Sequence, residues 1–274
     1  MPMLGFGYHR DGPGGVSFFH RPPPPAPPGE LVLGGTAVKR EPALPVVFIH
    51  GLGVGITPYL RFLRRLAKVR ECFVIELPEI SQNGTEKVLS PAAMASALAG
   101  ILQAAGHQKA CFIAHSYGTC VLSWVVRHRR DIVAKAVLLD PVGFLLAQPD
   151  VAYNFLYRPA RNPFTMFVAH FVRWELFSAH VLMRNFYWYH NVLWAEDLPE
   201  DTTVVLASKD DIIDAHAVRC YLEERQRGHG DAAAGTSDRN RRESPCLKLL
   251  WLEGFFHAGI LLSRSAQTQV MDLL

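Results

Sequence analysis

The stretch Phe-Ile-Ala-His-Ser-Tyr-Gly-Thr-Cys, residues 112–120, decides how the rest of the chain is interpreted. Its apolar, β-forming start runs into Ser116, and two small residues, Ala114 and Gly118, flank that serine. Small flanking residues let a strand and a helix pack closely around a serine on a sharp turn, as in the nucleophile elbow G-x-S-x-G. An ordinary strand-to-helix turn fits this stretch equally well, so a base, an acid and an oxyanion site must be sought elsewhere in the chain.

Short apolar runs rich in β-forming residues recur along the chain and alternate with segments of helical character. The predicted strands are Val46–Ile49, 72–77, 110–114, 136–139, 203–207 and 247–252. The predicted helices are 59–69, 91–105, 119–128, 216–227 and 260–274. This alternation predicts an α/β fold with a mostly parallel central sheet and helices on both of its faces.

The composition changes near residue 45, which divides the chain into two parts. Residues 1–44 are rich in proline and glycine and are predicted to be an N-terminal segment with short strands at 16–19 and 31–33. Residues 45–274 carry the strand and helix pattern and are predicted to form one domain.

Two stretches interrupt that pattern. Residues 142–199, here called the cap segment, hold about half of the aromatic residues and are too long for a simple connection. We expect them to form a helical insertion that lies over the sheet. Residues 228–244 are polar and low in complexity, which predicts a disordered surface loop.

The charge balance and the cysteines narrow the classes of function. A net charge of +3 gives no reason to expect a nucleic-acid partner. No apolar run is long enough for a transmembrane helix, and no leader peptide is visible. The five cysteines form no C-x-x-C pair, and most lie in apolar runs, as expected for reduced thiols of a cytoplasmic protein.

A base and an acid follow two later predicted strands. His257 lies after the strand at 247–252, and Asp210 lies after the strand at 203–207. Ligands of parallel sheets bind at the carboxyl ends of the strands, which is where both residues and Ser116 fall. Their order in the chain, serine, aspartate and then histidine, is the order expected on this kind of fold.

An oxyanion site is predicted in the glycine-rich stretch His50-Gly51-Leu52-Gly53-Val54-Gly55, directly after the first predicted strand of the domain. The backbone N–H groups of Leu52 and Tyr117 are expected to point at the oxygen that becomes negative when Ser116 attacks a carbonyl. The stretch does not fit the dinucleotide-binding pattern G-x-G-x-x-G, because Ile56 stands where the last glycine is required.

Together these residues resemble the α/β-hydrolase superfamily, and the resemblance covers residues 45–274. It rests on the motifs His50-Gly51-Leu52-Gly53, Ala114-His115-Ser116-Tyr117-Gly118, Leu139-Asp140-Pro141, Asp210-Asp211-Ile212-Ile213 and Phe256-His257-Ala258-Gly259. The resemblance implies the α/β-hydrolase fold, a Ser-Asp-His triad and a variable cap after the sixth strand.

The mechanism that the resemblance implies needs no metal and no organic cofactor. Ser116 would attack an acyl carbon while His257 accepts its proton, and Asp210 would orient the imidazole. The expected substrate is an apolar small molecule or lipid-like compound with an ester or similar acyl bond.

Several alternatives to these roles remain open at this point. Asp211 or Asp140 could supply the acid; we favour Asp210 because the register of the resembled family places the acid there. Asp140 is interpreted as capping the turn before Pro141, and His115 as packing or hydrogen-bonding within the elbow. As possible metal ligands, three further histidines lack the short spacing that a metal site requires: His170, His180 and His190.

The function also has alternatives on the same fold. One is a non-hydrolytic, lyase-type enzyme, and another is a binding protein that keeps the triad without turnover. The aromatic rings of the cap segment could pack internally, line an apolar pocket or contact a membrane surface.

Overall fold

The computed structural model describes residues 5–25, 32–33, 36–37, 43–160, 166, 168–234 and 246–274. Its strands are β1 (Gly7–His9), β2 (Phe18–Arg21), β3 (Val32–Leu33), β4 (Thr36–Ala37), β5 (Val46–Ile49), β6 (Cys72–Ile75), β7 (Ala110–His115), β8 (Val133–Leu139), β9 (Asp201–Ala207) and β10 (Cys246–Leu252). One sheet of eight strands has the order β1-β2-β6-β5-β7-β8-β9-β10, and β3 pairs with β4 separately.

The large sheet is parallel from β6 to β10, and only its β1–β2 edge is antiparallel. Helices cover both faces, where two separate clusters of buried apolar side chains form the core. This architecture confirms the predicted α/β fold with a mostly parallel central sheet.

Strand β5 illustrates why the apolar runs form the centre of the sheet. All four of its residues are at most 1% exposed. Val47 and Ile49 pack into one core cluster, whereas Val46 and Phe48 pack into the other. Successive side chains of a strand point to opposite faces, so a strand covered on both faces is apolar at every position.

Five helices pack against this sheet: α1 (Leu60–Leu66), α2 (Pro91–Ala104), α3 (Gly118–His128), α4 (Ala215–Ala234) and α5 (Arg264–Met271). Serine side chains cap two of them. Ser90 Oγ accepts a hydrogen bond from the Ala93 N–H at 3.3 Å, and Ser263 Oγ accepts one from the Ala266 N–H at 3.2 Å. Each bond satisfies an amide in the first helical turn that has no partner within the helix.

The cap segment contains short helical pieces instead of long helices. In the part that the structure describes they are Asp150–Ala152, Tyr153–Tyr157, Ala169–Arg173, Leu176–His180, Val181–Asn185, Trp188–Asn191 and Ala195–Asp197. Further 3-10 turns lie outside it, at Pro13–Gly15, Thr57–Tyr59, Pro78–Ile80, Arg130–Ile132 and Gly259–Leu261. The segment follows β8, which is the sixth strand of the large sheet in chain order.

The N-terminal segment contributes to the same sheet as the rest of the chain. Strand β2 pairs antiparallel with β6, and its register places Phe18 opposite Ile75. The strand predicted at 16–19 therefore lies two residues later, at Phe18–Arg21. Of the strand predicted at 31–33, Val32–Leu33 is observed, whereas residue 31 lies outside the described residues.

Helix α4 runs to Ala234 and so extends into the stretch predicted as a loop at 228–244. Residues 235–244 of that stretch lie outside the described residues. Among the helices that the structure describes, none combines the length and the apolar character needed to cross a membrane.

Candidate active site

Three residues that are far apart in the sequence form a hydrogen-bonded line at the carboxyl ends of the strands, with His257 between Ser116 and Asp210. The distance from Ser116 Oγ to His257 Nε2 is 2.9 Å. On the other side of the ring, His257 Nδ1 lies 2.7 Å from Asp210 Oδ2. In the neutral form of the ring Nδ1 carries the proton, since a carboxylate only accepts, and Nε2 accepts the hydrogen bond of the serine hydroxyl.

Ser116 stands on the sharp turn between β7 and α3. Its backbone φ is 51°, in the left-handed region that non-glycine residues rarely adopt. The Ser116 N–H donates to the Leu139 carbonyl at 3.0 Å, which ties the turn to the neighbouring strand. Gly118 lets this turn pass close to β5, because a Cβ at that position would lie 2.5 Å from the Ile49 carbonyl oxygen.

The loop after β9 holds Asp210 with both carboxylate oxygens occupied. Oδ1 accepts hydrogen bonds from the N–H groups of Ile212 and Ile213, at 2.8 and 3.0 Å. Oδ2 receives the imidazole N–H of His257. The neighbouring Asp211 has an exposed side chain, and its backbone carbonyl accepts a hydrogen bond from Arg158.

The imidazole of His257 is surrounded by negative charge. Burial disfavours its charged form, but the contact with Asp210 outweighs burial, and the pKa of His257 rises to about 9. The charges of Asp140 and Asp211 act in the same direction. This environment stabilises the charged, imidazolium form of the ring.

The predicted oxyanion loop lies against the elbow. A Cβ on Gly51 would lie 3.0 Å from Ser116 Cβ, so the two segments are in direct contact. His50 is fully buried and fixes the loop, since its Nδ1–H donates to the Gly51 carbonyl and its Nε2 accepts the Leu77 N–H. Burial lowers the pKa of His50 to about 4, so this histidine is neutral.

The amides of Leu52 and Tyr117, predicted to bind the oxyanion, have no protein acceptor in the part of the chain that the structure describes. By contrast, the adjacent Gly53 N–H donates to the Ile80 carbonyl at 3.0 Å, which fixes the direction of the loop.

The cap segment contacts the loops that carry these groups. Val172 approaches Gly53 in the oxyanion loop, and the ring of Phe186 lies 6.1 Å from the ring of Tyr117. In the loop that holds Asp210, the Ile212 carbonyl accepts a hydrogen bond from the side chain of Asn154 at 3.1 Å. The segment thus borders the site on several sides.

Asp140 and His115 lie next to the candidate site and bond to groups other than the three residues of the hydrogen-bonded line. Asp140 accepts a hydrogen bond from the Ala258 N–H, next to His257, and does not bond to the imidazole itself. His115 bonds within the core to the hydroxyl of Tyr59. The sequence does not predict the contact between Tyr59 and His115, because an aromatic residue at the start of a helix is typical of an ordinary core position.

Asp140, Asp210 and His257 bring potential metal-ligand atoms within 4.8 Å of one another. Each of these atoms already has a protein partner: backbone amides for Asp140, and each other for Asp210 and His257. The hydrogen bonds account for the clustering without an ion.

Comparisons with known proteins agree with this architecture. Residues 45–227 match the family model described as the α/β hydrolase fold. No curated protein sequence matches the chain.

Solved structures with the same fold have diverged far in sequence. A membrane phospholipase A, described as a bacterial virulence factor, is 14% identical with a TM-score of 0.63, over 99% of this chain and 87% of that chain. Naproxen esterase from Bacillus subtilis is 13% identical with a TM-score of 0.58, over 97% and 90%. The 2-hydroxy-6-oxo-6-phenylhexa-2,4-dienoate hydrolase of Rhodococcus sp. strain RHA1 is 15% identical with a TM-score of 0.59, over 98% of each chain. By its fold and by the family model, the chain belongs to the α/β hydrolase fold family.

Proposed function

We propose that the protein is a serine hydrolase that cleaves an ester or similar acyl bond through an acyl-enzyme. The observation that carries the proposal is the continuous hydrogen-bonded line from Ser116 through His257 to Asp210, with distances of 2.9 and 2.7 Å. A nucleophile, a base within hydrogen-bond reach and a third group that orients the base are the parts that such catalysis requires.

In the first half of the proposed reaction, Ser116 Oγ attacks the acyl carbon and its proton moves to His257 Nε2. The carbonyl oxygen becomes an oxyanion, which accepts hydrogen bonds from the N–H groups of Leu52 and Tyr117. Each such donor contributes about 3 kcal/mol to stabilising the transition state. The intermediate collapses when the bond to the leaving alcohol breaks and His257 returns the proton to that oxygen.

In the second half, water attacks the acyl-enzyme while His257 takes one of its protons. The same oxyanion donors stabilise the second tetrahedral intermediate. Its collapse breaks the bond to Ser116 Oγ, which regains a proton from His257, and releases the acid. Asp210 stays ionised throughout and stabilises the imidazolium.

An apolar acyl substrate is favoured by the side chains that border the site. Val172 and Phe186 of the cap segment face the oxyanion loop and the elbow. Phe256 and Val54, next to the histidine and in the oxyanion loop, are 61% and 42% exposed. We therefore propose that residues 142–199 act as a cap over an apolar substrate, on a hydrolase domain that spans 45–274.

We further propose that this cap contacts a membrane surface. Most large apolar side chains that are exposed in the described chain belong to it: Tyr153, Tyr157, Met166, Phe171, Trp174, Leu176, Met183, Tyr187, Trp188, Tyr189 and Trp194. Tryptophan and tyrosine favour the membrane interface, since they combine an apolar ring with a polar group. The solved structure with a TM-score of 0.63 is described as a membrane phospholipase A, and a membrane enzyme of the same fold supports this proposal.

A cytoplasmic location is proposed on the state of the thiols. Cys72, Cys111 and Cys120 are free and buried. Reduced thiols are typical of compartments kept reducing by glutathione and thioredoxin.

The proposal is tested by trapping the acyl-enzyme. The protein is mixed with p-nitrophenyl esters of short and long acyl chains, and release of p-nitrophenol is followed while intact mass is measured after acid quenching. We expect turnover, a mass increase equal to one acyl group, and, after proteolysis of the quenched protein, that added mass on the peptide that contains Ser116. Neither product nor adduct with any ester, from a folded protein, would contradict the proposal and favour a binding protein on this fold.

A further inference from the structure

A chain of buried polar contacts runs beneath the candidate site and starts at the oxyanion loop. The Gly51 N–H donates to the Tyr59 hydroxyl oxygen at 2.8 Å. The same oxygen lies 2.8 Å from Nδ1 of His115, the residue before Ser116. Tyr59 is 3% exposed, so its hydroxyl needs partners inside the protein.

These contacts fix the protonation of His115. The Tyr59 hydroxyl accepts from Gly51 and donates its own proton to His115 Nδ1, which leaves the imidazole proton on Nε2. Burial holds the pKa of His115 well below its usual range, so the ring is neutral. Its Nε2 is buried, has no hydrogen-bond partner among the described residues and lies 3.8 Å from Asp140 Oδ2.

Asp140 in turn joins the end of β9, just before the loop that holds Asp210, to the loop that holds His257. Its Oδ1 accepts from the N–H of Ala207, the last residue of β9, at 3.2 Å. Its Oδ2 accepts from the N–H of Ala258, next to His257, at 2.8 Å. Burying a carboxylate is costly unless it is hydrogen-bonded, and Asp140 is 1% exposed, so these two bonds hold it in place.

The backbone around this carboxylate is held in unusual conformations. Asp140 has a φ of 45° and Ala258 a φ of 63°, both in the left-handed region. Such conformations persist only where the surroundings fix them, and they cluster at functional sites. The hydrogen bond between Asp140 and Ala258 supplies one such restraint next to His257.

We propose that Asp140 is a positioning residue for His257. The buried His115 ring, which Tyr59 ties to the oxyanion loop, packs 3.8 Å from the Asp140 carboxylate without a hydrogen bond, and this packing holds the loops of the site as one unit. Asp140 acts through the Ala258 amide and does not touch the reacting atoms. The catalytic consequence rests on the proposed function, whereas the structural coupling does not.

The charged and titratable groups that face His257 are Asp210, Asp140 and Asp211, with the ring of His115 at 5.5 Å. The first three raise its pKa, and His115 is neutral. Replacing Asp140 by a neutral isostere removes one negative charge and one acceptor. A variant that only disturbs packing keeps both the negative charge and the acceptor of Asp140.

The test compares Asp140→Asn with Thr203→Val, a buried and nearly isosteric change on β9 whose hydroxyl has no partner among the described residues. The imidazole of His257 is titrated by NMR in both variants and in the native protein. We expect its pKa to fall by about 0.5 to 1 unit in Asp140→Asn and to stay unchanged in Thr203→Val. This measurement does not depend on activity.

A second readout separates positioning from charge. The rate of labelling by a fluorophosphonate is followed to the pH plateau, where His257 is neutral in every variant. We expect the plateau of Asp140→Asn to lie about tenfold below the native value, because a displaced histidine loses reactivity even in its neutral form. A plateau that is unchanged in folded Asp140→Asn would overturn the positioning role, even if the pKa of His257 falls, because removal of the charge alone lowers that pKa.

If Asp140→Asn does not fold, Tyr59→Phe replaces it in the test. The Tyr59→Phe change removes one oxygen and keeps the buried ring. Hydrogen exchange at the Ala258 amide is expected to be several-fold faster than in the native protein and in Thr203→Val. Unchanged exchange would contradict the coupling. A native protein that fails to label contradicts the proposed function, while the titration and the exchange still decide the inference.

Discussion

His257 Nε2 lies 2.9 Å from Ser116 Oγ, although 141 positions of the chain separate the two residues. The parallel sheet creates this contact, because β7 and β10 both end at the same edge and each is followed by a loop.

The acid is expected to be Asp210 and not its neighbour. Asp210→Asn removes the charge that orients and stabilises His257, so the rate of ester hydrolysis should fall by about 10⁴. Asp211→Asn is the matched control, because its carboxylate is exposed and makes no hydrogen bond to the imidazole. We expect its rate to stay within about threefold of native. Equal losses in the two variants would show that the acid has been misassigned.

Gly118→Ala is expected to destabilise the elbow. The new methyl group would lie 2.5 Å from the Ile49 carbonyl oxygen, a backbone atom of β5 that cannot move without distorting the sheet. We expect a loss of about 2 kcal/mol or more in the free energy of unfolding in urea. Gly7→Ala, whose Cβ would meet only ordinary contacts at 3.8 to 3.9 Å, should change that free energy by less than about 1 kcal/mol. Equal stability of the two variants would refute the packing argument.

The dependence of activity on pH follows from His257. Its pKa is raised from 6.5 to about 9, and only the neutral imidazole can accept the serine proton. Activity is therefore expected to rise with pH through the neutral range, about tenfold per unit, and to level off near pH 9. The measurement is kcat/KM for a p-nitrophenyl ester between pH 6 and 10, corrected for spontaneous hydrolysis. A plateau already reached at pH 7 would mean that the carboxylates do not act on His257 as described.

Vesicle binding should depend on the aromatic side chains of the cap segment. Trp174 and Trp188 are 62% and 48% exposed, and replacing both by serine should weaken sedimentation with phosphatidylcholine vesicles about tenfold or more. Val69→Ser, at an exposed apolar residue outside the cap segment, should bind as the native protein does. Labelling by a small water-soluble probe should be unchanged in both. Native protein that stays in the supernatant would contradict the membrane proposal and leave the triad unaffected.

The central strands were predictable from sequence because burial on both faces makes every position apolar. The limits of β5 agree with the prediction for this reason. Strand β2 is shifted by two residues from the predicted position, since its limits are set by pairing with β6, a contact that local composition does not reveal. The cap segment has helical character in its sequence, but local composition does not reveal the limits of its short pieces.

The candidate site divides in the same way. Ser116, Asp210 and His257 each follow a predicted strand, so topology alone predicts that they meet. The role of Tyr59 depends on a hydroxyl contact to His115, 56 positions away in the chain. No local sequence pattern predicts such a contact. Asp140 was visible as a residue at a strand end, but its partners are backbone amides, which look the same in every sequence.

The central claim is that Ser116 is an activated nucleophile, and labelling by a fluorophosphonate probe tests it most directly. The native protein, Ser116→Ala and His257→Ala are compared at equal concentration, with circular dichroism as the check on folding. We expect covalent labelling of the native protein at Ser116 and none in either variant. A folded native protein that takes up no probe, or a Ser116→Ala variant that is labelled as fast as the native protein, would contradict it.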